Sequence, residues 1–285
     1  MHLSVEPSGQ SCGAIVHGLD LSTPLPAPDL GKLRQIWLDH QVIGLPDQSL
    51  TPETLVAFAN QLGPDSDDPY LAGLAEHPRV VEVKREPNEQ AGIFADNWHS
   101  DWSFLATPPS ATLLYGLEIP PIGGDTLFTN LAAAYDALSA SIKQQLSQLR
   151  AVHSARRGYA RNGRYGESDK GRSMNILASD SALTTQTHPL VREHPETGRP
   201  VLYISPAYTI GIESYTADQS TELLEELFDH LEQEAFLYRH RWAPGMLTIW
   251  DNRSLNHKAT GGYEGHRRLL HRVTVGEPTA TAAHT

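Results

Sequence analysis

Asn97-Trp98-His99-Ser100-Asp101-Trp102 is the stretch on which the reading of this chain turns. In an extended segment the side chains of residues i and i+2 leave the same face, so His99 and Asp101 can present one nitrogen and one oxygen to a common point. One more imidazole would complete a set of two histidines and one carboxylate on one face of an iron(II) ion, with the other face open. A bidentate co-substrate would take two of the open positions and O₂ the third. The triplet is a weak signal by itself, because the chain holds 14 histidines and most histidines are exposed or structurally hydrogen-bonded. It needs a partner.

Trp250-Asp251-Asn252-Arg253-Ser254-Leu255-Asn256-His257 offers one. His257 follows the strand-like run Leu247 to Trp250, and in a jelly roll sequence-distant strands meet at the barrel mouth, where small-molecule sites form. Next comes His266-Arg267-Arg268-Leu269-Leu270-His271-Arg272. A strand over Leu269 to Val275 puts Arg268, Leu270 and Arg272 on one face. Two guanidiniums looking into one buried space are costly unless anions answer them. The planar fork of arginine suits a carboxylate or sulfonate. The alternative is that either arginine pairs with an Asp or Glu of the chain itself.

Outward from these motifs, the pattern is strands in the middle and end of the chain with helices around them. Gly13 to Leu21, Val80 to Val83, Ser110 to Ile119 and Asp125 to Thr129 read as strands, as do two stretches around the turn Glu196-Thr197-Gly198. Helical spacing covers Asp29 to His40, the run after Thr51-Pro52-Glu53, Leu131 to Leu149 and Thr216 to Leu231. The segment 155–175 has no clear period and is rich in Arg, Gly and Ser, the composition of a mobile surface loop placed to act as a lid. Arg156, Arg157, Arg161 and Arg164 lie in it, either to close over an anion or simply solvated. The fold class predicted is mainly β with flanking helices, a double-stranded β-helix (jelly roll, cupin-like), as one domain over 1–285 with a disordered tail from about 278.

Composition excludes several functions. With 34 acidic against 22 basic residues the formal charge is -12, which disfavours nucleic acid and anionic membranes as partners. A single cysteine, Cys12, forbids an intrachain disulfide and suits a reducing cytoplasm. Neither a secretory signal nor an apolar run long enough to span a membrane is visible, so the location expected is cytoplasmic.

Together these residues resemble the taurine dioxygenase family of iron(II)/2-oxoglutarate-dependent oxygenases. The resemblance lies in Asn97 to Asp101, in Gly123-Gly124-Asp125-Thr126-Leu127, in Trp250 to Arg253 with His257, and in Arg268 to Arg272, in matching order from about Gly13 to Pro278. It implies that His99, Asp101 and His257 bind iron, that Thr126 and Arg268 hold the distal carboxylate of 2-oxoglutarate, and that Arg272 contacts an anionic group of substrate or co-substrate. It implies oxidation of a small organic substrate with release of succinate and CO₂, and relatives that are often dimers or tetramers.

By this resemblance Tyr70 stands where a relative's histidine meets a sulfonate, Ala95 replaces an asparagine two residues before the Asn-Trp-His run with loss of a polar contact, and Tyr208 falls where an aromatic residue lines the pocket. The substrate expected is therefore a sulfonate, alkyl sulfate or carboxylate, larger or less polar than taurine. Rival readings are a larger natural-product or amino-acid-derived substrate on the same iron centre, a nucleic-acid or protein hydroxylase, a zinc hydrolase, and a non-catalytic ligand-binding member of the fold. The zinc hydrolase would have no use for the Thr126 and Arg268 pair.

Overall fold

Alternation within four apolar strands builds the centre of the molecule. In Val42–Leu45, Ala111–Glu118, Leu247–Asp251 and Arg268–Val275, successive side chains leave opposite faces. Val42, Leu114, Trp250 and Leu270 therefore share one core, while Ile43, Leu113, Ile249 and Val273 share another. In the computed structural model, which describes residues 3–277, these strands lie together in a seven-stranded sheet. Its order is Ser4–Pro7, Ala14–His17, Val42–Leu45, Leu247–Asp251, Ala111–Glu118, Arg268–Val275, Val81–Arg85. All neighbours run antiparallel except Ala14–His17 beside Val42–Leu45.

Helices Ala27–His40 and Pro52–Leu62 cover one face, burying Leu33, Trp37, Leu55 and Phe58 against Ile43, Leu113 and Ile249. Fully burying each such side chain contributes roughly 1.5–3 kcal/mol. The second helix starts as expected: Thr51 accepts from the Thr54 N–H and Pro52 occupies the first turn. The other face meets a three-stranded sheet, Leu237–His240, Thr126–Asn130 and Leu255–Ala259, through Phe128, Tyr238 and Leu255. Two sheets closing on one core form the jelly roll. A third small sheet, Thr209–Ile212, Arg150–His153 and Gln186–Pro189, lies outside it.

One expectation is corrected and another refined. The helix expected over Leu131 to Leu149 is two short ones, Leu131–Asp136 and Ala140–Leu146. Ser139 breaks it, because its hydroxyl caps the second helix through the Ile142 N–H. His257 follows the strand Leu247–Asp251 as expected, but it also sits inside a further strand, Leu255–Ala259, whose Asn-His-Lys centre hid it from hydropathy. The segment 155–175 opens with one helical turn, Arg156–Tyr159, and buries Tyr159, Ala160 and Tyr165. The tail expected to be disordered from about 278 lies outside the described residues. Among the described residues, no helix is long and apolar enough to cross a membrane.

Candidate metal centre

His99 and His257 face each other because their backbones pair. The His99 N–H donates to the His257 carbonyl at 3.0 Å and the His257 N–H donates back at 2.7 Å. This is an isolated bridge, not the extended segment expected around His99, and Asp101 sits on the turn that follows. Left-handed backbone flanks the stretch at Ala95 (φ 60) and Trp102 (φ 49). Such strain costs a non-glycine residue on the order of 1–3 kcal/mol and persists where surroundings enforce it. Here the Trp102 indole N–H donates to Asp68 at 2.6 Å, and the Ala95 N–H donates to the Tyr165 hydroxyl at 3.0 Å.

One ligand atom from each of His99, Asp101 and His257 lies within 4.8 Å of the others, and all three residues are buried. Asp101 Oδ1 is 3.6 Å from His99 Nε2 and 3.8 Å from His257 Nε2. His99 Nδ1 donates to the Asn97 carbonyl at 2.8 Å, which leaves the lone pair on Nε2, toward Asp101. His257 is oriented by packing on Phe128 and Trp250. Burial lowers the pKa of both imidazoles, His257 to about 3, so both are neutral. Burial opposes ionisation of Asp101, yet the Arg272 guanidinium foremost, with the Thr112 hydroxyl, holds its carboxyl well below the usual range. Neutral imidazoles and an ionised carboxylate are the states that metal ligation requires. The donor set, two nitrogens and one oxygen on one side of a point, fits a 2-His-1-carboxylate iron(II) site.

Residues that sequence reasoning did not single out hold Asp101 in place. Thr112 Oγ1 donates to Asp101 Oδ2 at 2.6 Å and accepts from Asn252 Nδ2 at 2.9 Å. Asn252 Oδ1 accepts from the Trp250 indole N–H at 2.9 Å, and its carbonyl accepts from the Ser100 hydroxyl at 2.6 Å. The Trp250 to Arg253 motif is thus a brace. Asp251 takes Arg253 through Nε at 2.8 Å and Nη2 at 2.6 Å, and His194 at 2.9 Å, fixing the turn before His257's strand. Thr112 lies in an apolar strand and gave no signal of its own; Asn252 was quoted within a motif but without a role.

A recess of about 700 Å³ runs from the three ligand residues past Leu114 and Trp250 to Thr126, Arg268 and Arg272. The two arginines share a face as expected, but their surroundings differ. Arg268 is 6% exposed and, among the described residues, forms no ion pair; its Nη2 donates to the Gly124 carbonyl at 3.2 Å and its buried Nε has no partner. Thr126 Oγ1 accepts from the Trp242 indole N–H at 3.1 Å, leaving the hydroxyl proton to donate. Gly124 permits the approach: it has φ +68°, and a Cβ there would lie 3.1 Å from Arg268 Nε.

Arg272, by contrast, is bonded to Asp68, has Nη2 3.2 Å from Asp101 Oδ2, and lies over the Trp102 ring at 5.2 Å. Its charge is thus shared with two carboxylates, while its buried Nη2 has no hydrogen-bond partner. Tyr70 is displaced from the expected wall: it stacks behind Tyr159 at 4.9 Å, and its hydroxyl lies 3.2 Å from Ser181. Ala95 and Tyr208 do line a cavity, a second recess of about 650 Å³ that shares His99 and Ala95 with the first. Tyr208 meets the His99 ring edge-on at 6.0 Å.

A jelly roll with a metal-ready triad beside an unanswered guanidinium defines a class, metalloenzymes that bind an anionic co-substrate next to the metal. Comparison with known proteins narrows it. The family described as "Taurine catabolism dioxygenase TauD, TfdA family" matches residues 4–274, and the chain belongs to that family. It is 30% identical over 284 residues to the (S)-phenoxypropionate/alpha-ketoglutarate-dioxygenase of Sphingobium herbicidovorans, covering 98% of this chain and 97% of the relative. It is 32% identical over 292 residues to the alpha-ketoglutarate-dependent 2,4-dichlorophenoxyacetate dioxygenase of Cupriavidus pinatubonensis, covering 96% and 98%. A crystal structure of a taurine dioxygenase from Burkholderia xenovorans superposes with a TM-score of 0.79 at 33% identity, covering 96% of this chain and 89% of that one. The chain is accordingly a 2-oxoglutarate-dependent dioxygenase, an oxidoreductase of jelly-roll fold, as its resemblance implied.

Proposed function

We propose that the enzyme uses iron(II), 2-oxoglutarate and O₂ to hydroxylate a small organic anion, a carboxylate, sulfonate or alkyl sulfate. Substrate, 2-oxoglutarate and O₂ give the hydroxylated substrate, succinate and CO₂. Where the oxidised carbon bears a heteroatom, the product falls apart to a carbonyl compound and the released phenol, sulfate or sulfite. The observation that carries this reading is Arg268, a buried guanidinium with no carboxylate among the described residues, opening with Thr126 onto the recess that holds the triad. A buried charge of this kind is costly until an anion arrives.

In this reading His99, Asp101 and His257 hold the iron, and Arg268 with the Thr126 hydroxyl holds the distal carboxylate of 2-oxoglutarate. When bound, iron(II) supplies the chemistry that couples O₂ reduction to decarboxylation of 2-oxoglutarate and oxidation of a C–H bond. Thr112 and Arg272 keep Asp101 ionised and aimed. Tyr159, Tyr165 and Tyr208 wall the second recess and exclude water from it. The 155–175 segment serves as the lid, tied by Arg164 to Asp96 at 2.6 Å. Its substrate is a small molecule, with neither nucleic acid nor membrane as partner, and it works in the cytoplasm, as a dimer or tetramer if it follows its relatives.

The test is made without oxygen. Iron(II) and 2-oxoglutarate are added to the purified protein, and the weak visible metal-to-ligand charge-transfer band is recorded. The band is expected in the wild type, absent in His99→Ala and weakened in Arg268→Ala, with succinate forming on admission of O₂. Absence of both band and succinate in the wild type would sink the reading.

A further inference from the structure

An organic anion held beside His99 needs a cation whose charge no carboxylate of the chain already answers. The two recesses supply seven cationic side chains among their lining residues. Five of them already answer a carboxylate. Lys84 meets Glu82 at 2.9 Å, Arg85 meets Glu89 at 3.5 Å, Arg164 meets Asp96 at 2.6 Å and Arg172 meets Asp169 at 2.5 Å, while Arg272 stands between Asp68 and Asp101. Among the described residues, only Arg268 and Arg157 remain without an acidic partner. Arg268 lies beside Thr126 in the first recess. Arg157 lines the second, along with His99, Asn97 and the ring of Tyr208.

We infer that Arg157, on the lid, is the specificity-determining residue that binds the oxyanion of the substrate, in place of Arg272 on the barrel strand. This rests on the proposed dioxygenase reading and adds where the substrate's charged end lies. The Arg157 guanidinium is preorganised: Nη1 donates to the carbonyls of Pro206 and Thr209, each at 3.2 Å. Those bonds fix the plane of the fork and leave Nε and Nη2 without a hydrogen bond among the described residues, the paired edge that a carboxylate, sulfonate or sulfate takes. The Arg157 side chain is exposed at the rim of this recess, open to an arriving anion.

The remaining walls define the rest of the ligand. Tyr159, Tyr165, Tyr208, Pro206 and Ala207 are apolar or aromatic. Ala95 adds no polar contact beyond its backbone. The site thus suits an aryl or alkyl body with one oxyanion end, reaching from Arg157 toward the face of the triad. Of the four lid arginines, Arg161 faces Asp180 and Glu167 and Arg164 faces Asp96, so neither competes for this role.

The experiment is an anaerobic titration of the protein loaded with iron(II) and 2-oxoglutarate. The probes are 2-phenoxypropionate, hexanesulfonate and hexyl sulfate, with methyl 2-phenoxypropionate as the neutral analogue, each read by the shift of the visible band. Losing a charge-assisted fork weakens binding about 10- to 100-fold. Arg157→Gln is expected to weaken the anion that the wild type binds by that factor and leave the methyl ester within about 2-fold, while Arg157→Lys recovers part of the loss. Arg156→Gln, whose side chain lines neither recess, is the control expected to bind like the wild type. Which anion the wild type prefers tells carboxylate from sulfonate and sulfate.

Equal affinity of Arg157→Gln and wild type for the preferred anion would overturn the inference, as would equal weakening of anion and ester. A wild type with a normal band that prefers the ester would overturn it too and leave the dioxygenase reading standing. A wild type with no band at all overturns that reading, and this inference with it.

Discussion

Arg268 and Arg272 lie one helical-looking interval apart in sequence but on one face of one strand, and both are buried at the same recess. Nothing in their spacing or type distinguishes them. What differs is the company each keeps. Arg272 has Asp68 on one side and Asp101 on the other, with Trp102 beneath it. Each has one buried donor without a hydrogen-bond partner, but Arg268 has only a single carbonyl and two flanking rings around it, and no carboxylate among the described residues. In the proposed reading, one arginine is part of the frame around Asp101 and the other receives the anion. The cost of an unanswered buried charge marks the binding residue, whereas a paired one marks the frame.

Substitution tests this contrast most strongly through stability of the protein without ligand. Arg272→Leu leaves Asp68 and Asp101 buried without their cation and is expected to cost about 3–5 kcal/mol. Arg268→Leu removes a charge that nothing answers and is expected to leave stability unchanged or raise it by about 1 kcal/mol. Urea denaturation of the two variants beside the wild type measures both. Equal losses would erase the distinction.

The next effect reverses the ranking. Affinity for 2-oxoglutarate, read by the charge-transfer band, is expected to fall about 100-fold in Arg268→Leu, the loss of a charge-assisted bond pair. Thr126→Val should lower it by about 10-fold, one neutral donor's share. A full-strength band at ordinary 2-oxoglutarate concentrations in Arg268→Leu would place the co-substrate elsewhere.

Thr112→Val sharpens the scaffold side. It deletes the hydroxyl that bonds Asp101 and leaves the triad intact, so iron(II) affinity should drop about 10- to 100-fold, the effect typical of removing a partner of a metal ligand. Metal titration by calorimetry gives the value, and an unchanged affinity would show that Arg272 alone positions Asp101.

The smallest effect is in acid. Burial, with Arg268 nearby, lowers the His240 pKa to about 3 from its ordinary 6.5. A depressed folded-state pKa means that the neutral form is favoured. Its stabilising contribution is complete above about pH 6.5 and is lost as pH falls toward about 3. Removing Arg268 lets His240 titrate nearer its ordinary value, so the drop in Tm between pH 7 and pH 4 should shrink by up to about 1 °C in Arg268→Leu. An identical drop in both proteins would assign the acid sensitivity to burial alone, at His240 and at His153, which burial also takes to about 3.

The amino-acid sequence by itself pointed to the class of fold and, through the family resemblance of its motifs, to His99, Asp101, His257, Thr126 and Arg268, which the structure brings to one recess. It could do so because those rest on local rules: alternation in strands, cap chemistry at Thr51 and short motifs in a fixed order. It also placed both arginines on one face, since that follows from the period of a strand. Tertiary structure alone decided the rest. The strand under His257 was hidden because Asn256 and Lys258 break its hydropathy, and the helix break at Ser139 depends on whether its hydroxyl caps or is solvated. Tyr70 matched a pocket residue by alignment yet stacks behind Tyr159. Above all, the answer to which arginine is free lay in Asp68, a residue 204 positions from Arg272. A charge's function depends on what stands within a few ångströms of it, and for residues so far apart along the chain only the closing of the two sheets sets that distance.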